Sequence, residues 1–138
     1  MVDRDVVKYG RAAKQRLAAA EFLLANQFNR EAMYLAGYVV ECAFKALILD
    51  RTPRNDRSER LLQISRGNKG HDIEYLNALL RSCGLMIPPR IIEQLRLIRL
   101  AEWSTDWRYE VGLVPSEDAS TFILASKTFL EWKESALS

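Results

Sequence analysis

Between Arg30 and Asp50 the chain runs through Met33, Leu35, Ala36, Val39, Val40, Ala43, Phe44, Leu47 and Ile48. Wound into a helix, that segment is apolar almost all round, and such a helix has to be enclosed by others. It is expected either at the centre of a bundle or at the seam of a dimer. A strand is the weaker reading, because the run is too long and too rich in Ala and Leu. Its most apolar part, Tyr34 to Leu49, contains Glu41 and Lys45 and reads as too short and too polar to span a bilayer.

Those two charges are the anomaly of the segment. They stand at i,i+4 in the favourable Glu-to-Lys order. Burying charge is costly unless it is paired, so they are expected to pair with each other or with an arginine such as Arg108. The sharper alternative is a wet cleft where Lys45 meets a phosphate. Tyr34 and Tyr38, one turn apart, would line that cleft or simply pack.

The flanking sequence supplies partners for this helix. From Asp5 to Asn26 apolar residues recur at helical spacing (Ala12, Leu17, Ala20 and Leu24, with Ala13, Phe22 and Leu23) opposite Arg4, Lys8, Lys14 and Gln15. Asn29 is a candidate cap after the short break, and so brief a connection makes the two long helices antiparallel. Ser58 is a candidate cap for a short helix, Glu59 to Ser65, which ends before Gly67-Asn68-Lys69-Gly70. Asp72 caps a helix over Ile73–Cys83 with Gly84 as its stop, and Pro88-Pro89 opens another that runs to about Trp103. Ser104 to Pro115 is irregular and aromatic. Ser116 then caps a last helix, with Glu117 and Asp118 at its positive end. The expected fold class is all-α: an antiparallel up-and-down bundle of about five helices, forming one domain over residues 1–138.

Composition narrows the function classes. Of 138 residues, 49% are apolar and 28% charged, as in ordinary globular domains, and the net charge of +2 is too small to mark a strongly basic nucleic-acid binder. Cys42 and Cys83 fall within apolar helical patterns and read as free thiols. With one histidine in the chain, no Cys/His metal site and no cofactor are expected. The N-terminus lacks the apolar core of a signal peptide, and a cytoplasmic location is expected.

Four stretches carry a resemblance. Arg16-Leu17-Ala18-Ala19-Ala20-Glu21-Phe22-Leu23-Leu24, followed by the segment from Glu31 to Leu47 with Glu41-Cys42-Ala43-Phe44-Lys45 at its heart, resembles HEPN domains. Gly70-His71-Asp72 before a Leu-rich helix, and Asp106-Trp107-Arg108-Tyr109 before the last helix, look like further landmarks of bacterial members. The resemblance covers nearly the whole chain. It implies an antiparallel helical bundle, often a homodimer, linked to nucleotide or RNA binding. Many members are metal-independent ribonucleases, some of them toxins held in check by a partner nucleotidyltransferase; others have lost the active site. Active members carry an Arg, four to six residues, then a His, near the end of the helix before the last one.

One literal match to that spacing exists, Arg66 and His71 around Gly67-Asn68-Lys69-Gly70, and such a polar loop can hold a phosphate while the imidazole moves a proton. It lies before the third helix rather than the last, and the plainer reading is that His71 flanks a helix N-terminus. At the position the resemblance implies, four to six intervening residues after Arg99 lead to Ser104, Thr105 or Asp106, and after Arg96 to Ala101, Glu102 or Trp103. None is histidine. The segment still offers Arg96, Arg99 and Arg108 as phosphate forks and Trp103, Trp107 and Tyr109 as stacking faces, unless these aromatics merely close the bundle. The expected ligand-binding set is therefore Glu41, Lys45, Arg99, Trp103, Asp106, Arg108 and Tyr109. The expected function is a non-catalytic, homodimeric module that binds nucleotide, RNA or a partner protein. The alternative is a metal-independent endoribonuclease toxin using Arg66 and His71 or the 99–108 segment, paired with a nucleotidyltransferase.

Overall fold

The computed structural model describes residues 3–137. Six α-helices follow one another: α1 (Arg4–Ala25), α2 (Asn29–Arg51), α3 (Arg57–Ser65), α4 (Ile73–Ser82), α5 (Pro89–Leu100) and α6 (Ser116–Ala136). Short 3-10 segments lie between α2 and α3 (Arg54–Asp56), α3 and α4 (Asn68–His71) and α5 and α6 (Thr105–Tyr109), and no strand occurs among the described residues. The short helix expected over Glu59–Ser65 forms as α3, two residues longer at its start, and brings the count among the described residues to six against about five expected.

The centre belongs to α2. Its residues Val39, Val40, Ala43, Phe44, Ala46, Leu47 and Ile48 are fully enclosed, and it packs against α1, α4 and α6. Contrary to the expectation from Tyr34–Leu49 alone, the full helix is long and apolar enough to cross a membrane by length and composition, yet 83% of its most apolar window is buried inside the fold. Its apolar surface is thus used internally. Small residues let α1 lie close: Gly10, Ala13 and Ala20 form its buried stripe with Val6 and Leu17. Phe22 lies off that stripe and is 68% exposed, so it is not part of the inward face its sequence neighbours suggest. Across α2, Phe44 meets Phe129 of α6 with ring centroids 4.7 Å apart.

The local signals divide. Asp72 Oδ1 accepts from the backbone N–H groups of Glu74 and Tyr75, capping α4 as its sequence implies. Gly84 takes φ +87° just past that helix, and Pro89 opens α5. Asn29, Ser58 and Ser116 are not N-caps: each lies within its helix, after Phe28, Asp56 and Pro115, none of which makes a side-chain cap bond. Asn29 instead donates its Nδ2 to Val114 O at 2.8 Å and to Ser116 Oγ at 3.1 Å. Beside it, Arg30 reaches Gly112 O and Glu110 Oε2. The first turn of α2 therefore moors the 110–116 segment. Cys42 and Cys83 are both free, Cys42 being buried and Cys83 half-buried.

Candidate functional site

The site grows outward from the charged pair on α2. Lys45 Nζ lies 3.0 Å from Glu41 Oε2, and both side chains are about 95% enclosed (6% and 5% exposed). The i,i+4 spacing alone allows this bond, since residues four apart share a helix face. The other carboxylate oxygen is also engaged: Glu41 Oε1 lies 3.0 Å from His71 Nδ1. The ammonium further faces the Tyr9 ring at 5.6 Å. Arg108 does not join this network as a hydrogen-bonded partner; its guanidinium lies over the ring of Tyr109, 4.8 Å from the centroid. Lys45 is too deeply enclosed to meet a phosphate, and the cleft expected around it does not form there.

The turn carrying His71 is held tightly. Gly70 is buried where a Cβ would run into the carbonyl of Ile64, so the backbone passes directly over the end of α3. Next to the imidazole stands an aromatic wall. Tyr38 meets His71 edge-on at 6.2 Å and Trp103 edge-on at 5.1 Å, while Tyr34 stacks on Trp103 at 6.2 Å. The Tyr34 and Tyr38 hydroxyls bond each other at 3.1 Å. Burial first, and then that hydrogen bond, push the Tyr38 phenol well above its ordinary titration range. The Trp103 indole N–H donates to Tyr34 O at 3.0 Å. It lies so close over α2 that a Cβ at Gly37 would overlap its ring. These tyrosines pack; they do not line a cleft.

The cleft lies on the far side of this wall. An open cavity of about 560 Å³ is bounded by Asn68, His71, Asp72 and Glu74 on one side and by Arg99, Glu102, Trp103 and Asp106 on the other, with Ile73 and Ile98 contributing apolar lining. Two stretches that the sequence presents as separate candidates thus share one cavity. Of the expected ligand-binding set, Arg99, Trp103 and Asp106 line it. Glu41 and Lys45 stand behind His71, while Arg108 and Tyr109 lie outside the lining, as does Arg66. Glu41 to His71 spans 30 positions, with no local pattern to announce it. Asn68, Ser104 and Thr105 complete the polar lining.

The charges around the cleft are mostly committed. Asp72 caps α4, and Glu74 Oε1 receives Arg99 Nε at 2.9 Å. Glu102 takes φ +55° at the end of α5, the left-handed geometry with which helices often stop but which costs a residue with a Cβ. His71, with its side chain 45% exposed, is the imidazole of the cleft lining. A buried carboxylate on one ring nitrogen is a device that orients an imidazole for proton transfer or hydrogen bonding. Holding a phosphodiester would need free cations as well. Within this cleft the one guanidinium, Arg99, is already bonded to Glu74. Among the described residues, no three His, Cys, Asp or Glu side chains gather closely enough to hold a metal ion.

An all-helical bundle with its most apolar helix at the centre, and a polar cleft where the turn before α4 faces the end of α5, defines a class of small helical domains. The family model for the HEPN domain matches residues 6–136, and the chain belongs to that family. No curated protein and no solved structure matches it.

Proposed function

We propose that this HEPN domain is a binding module that seats a nucleotide, free or as one unit of an RNA strand, in the His71–Trp103 cleft without cleaving it. The observation that carries the reading is the convergence of His71, Arg99, Trp103 and Asp106 on one cavity of about 560 Å³, a size typical of small-ligand sites. Its polar groups suit the edge of a base better than a scissile backbone. The carboxylates of Glu74, Glu102 and Asp106 share the lining with a single arginine, so cleavage chemistry lacks a second cation to take up developing charge. The family's frequent homodimers supply the second expectation, that the module works as a pair of copies.

Titration of the purified protein with 5′-nucleotides and a short single-stranded RNA tests this. Saturable binding weakened at least about tenfold in both His71→Ala and Arg99→Ala is the expected result, as each removes a direct polar contact. Unchanged affinity in both variants sinks the site. The Glu41–His71 bond favours one competing reading, an endoribonuclease in which the oriented imidazole is the base. Metal-independent RNA cleavage by the wild type that disappears in His71→Ala would establish that reading instead.

A further inference from the structure

The buried carboxylate of Glu41 is satisfied at both ends, by Lys45 Nζ on Oε2 and His71 Nδ1 on Oε1, each at 3.0 Å. An ionised carboxylate can only accept, so the ring nitrogen facing it is the one that carries a hydrogen. In a neutral imidazole, a proton on Nδ1 leaves Nε2 bare. Nε2 lies on the edge of the ring away from Nδ1, and the ring lines the cleft. The Tyr38 edge and the buried Gly70 turn restrict the ring further. The orientation is thus set from inside the core, by a helix that does not itself line the cleft.

We infer that Glu41, clamped by Lys45, is a positioning residue that fixes the His71 tautomer so that Nε2 faces the cleft as a hydrogen-bond acceptor. The cleft then receives its ligand at this point through an N–H donor, such as the amino- or imino-bearing edge of a nucleobase, rather than through a phosphate oxygen. The second half rests on the nucleotide reading above; the first does not. The surroundings agree with a donor edge. Glu102 and Asp106 add acceptors to the same cavity, while the guanidinium of Arg99 is held by Glu74.

The chain has one histidine, so its imidazole nitrogens can be observed by long-range proton–nitrogen NMR without ambiguity. In the wild type at pH 8, the expected spectrum shows Nδ1 protonated and Nε2 bare. The reverse tautomer overturns the positioning role, with no mutation needed. In Glu41→Gln, provided the helical circular dichroism is retained, the neutral amide no longer selects one tautomer, and a mixture is expected; an unchanged tautomer in that folded variant also overturns the role. For the ligand class, the probes are guanosine 5′-monophosphate and ribose 5-phosphate. The nucleotide is expected to shift the Nε2 resonance and to bind about tenfold more weakly in His71→Ala, as loss of one good hydrogen bond implies. Ribose 5-phosphate is expected to leave Nε2 unmoved. An equal shift from the sugar phosphate refutes the donor-edge assignment while leaving the nucleotide reading intact. If neither probe binds saturably, the nucleotide reading and the donor edge fail together, and the tautomer alone decides the role of Glu41.

Discussion

Two glutamates hold cations at almost the same distance, and they do different things. Glu41 meets Lys45 at 3.0 Å with both side chains about 95% enclosed; Glu74 meets Arg99 at 2.9 Å with side chains 67% and 52% exposed. Water screens the second pair and competes for it, so it contributes little to stability. The first pair has no water to fall back on, and removing one partner strands a charge in the core. Distance alone therefore says nothing about which contact the fold depends on. The enclosed pair works as architecture behind the cleft, and the exposed pair sets the cleft's charge.

The sharpest way to break that contrast is to remove a buried partner. Lys45→Ala should destabilise the fold by about 3–5 kcal/mol, leaving Glu41 enclosed with one oxygen unpaired; urea denaturation measures it. A loss below about 1 kcal/mol would show that the pair is hydrated in solution and that the two regions differ less than their burial suggests. Next in size, Gly37→Ala drives a methyl group into the Trp103 indole and should cost roughly 1–3 kcal/mol. Tryptophan fluorescence should shift as the ring moves, and an unshifted spectrum would show that the wall has room to give.

Alkaline pH probes the same buried side of the comparison. Burial, chiefly, and the nearby Glu41 charge raise the Cys42 thiol from its reference value of 9.0 to about 11. Its folded value exceeds the unfolded one, so the folded state holds the proton more tightly. The resulting stability is fully present below pH 9 and is lost as pH rises through 11, amounting to roughly 3 kcal/mol. Tyr9 and Tyr38, also raised chiefly by burial, extend the loss in the same direction at higher pH. Chemical denaturation of wild type and Cys42→Ala across this range should show a shallower decline in the variant; parallel curves refute the assignment. Removing the α4 cap with Asp72→Ala should cost about 1 kcal/mol. Smallest of all, Glu74→Ala should change stability by less than about 1 kcal/mol while freeing Arg99 for an anion, an effect that added salt erases.

Much of the architecture is legible in the chain because it depends on local chemistry. The all-round apolar α2 declares itself the central helix, Asp72 and Gly84 bracket α4, and the Glu41–Lys45 spacing permits the pair that forms. The misread elements depend on contacts across the fold. Asn29 looks like a cap because its side chain suits one, yet the loop from Val114 to Ser116 offers a better partner. Phe22 looks inward because its neighbours are apolar, but the buried stripe of α1 runs past it. The candidate site was legible in pieces: His71 and the Arg99–Asp106 segment each stand out, while their meeting requires the packed positions of α4 and α5. The Glu41–His71 bond, across 30 positions, carries no local signal, and no spacing rule would have linked the buried pair to the imidazole.

The mooring of residues 110–116 to the first turn of α2 bears on the order in which the chain assembles. No side-chain cap bond starts α6; Asn29 Nδ2 supplies hydrogen bonds to Val114 O and Ser116 Oγ where the helix begins. The last helix thus finds its register on the first turn of α2. The hairpin of α1 and α2 forms through contacts close in sequence, which cost the least loop entropy to close. The mooring makes α6 a late arrival on a finished template, and it predicts that the N-terminal hairpin is the more structured part of the folding transition state.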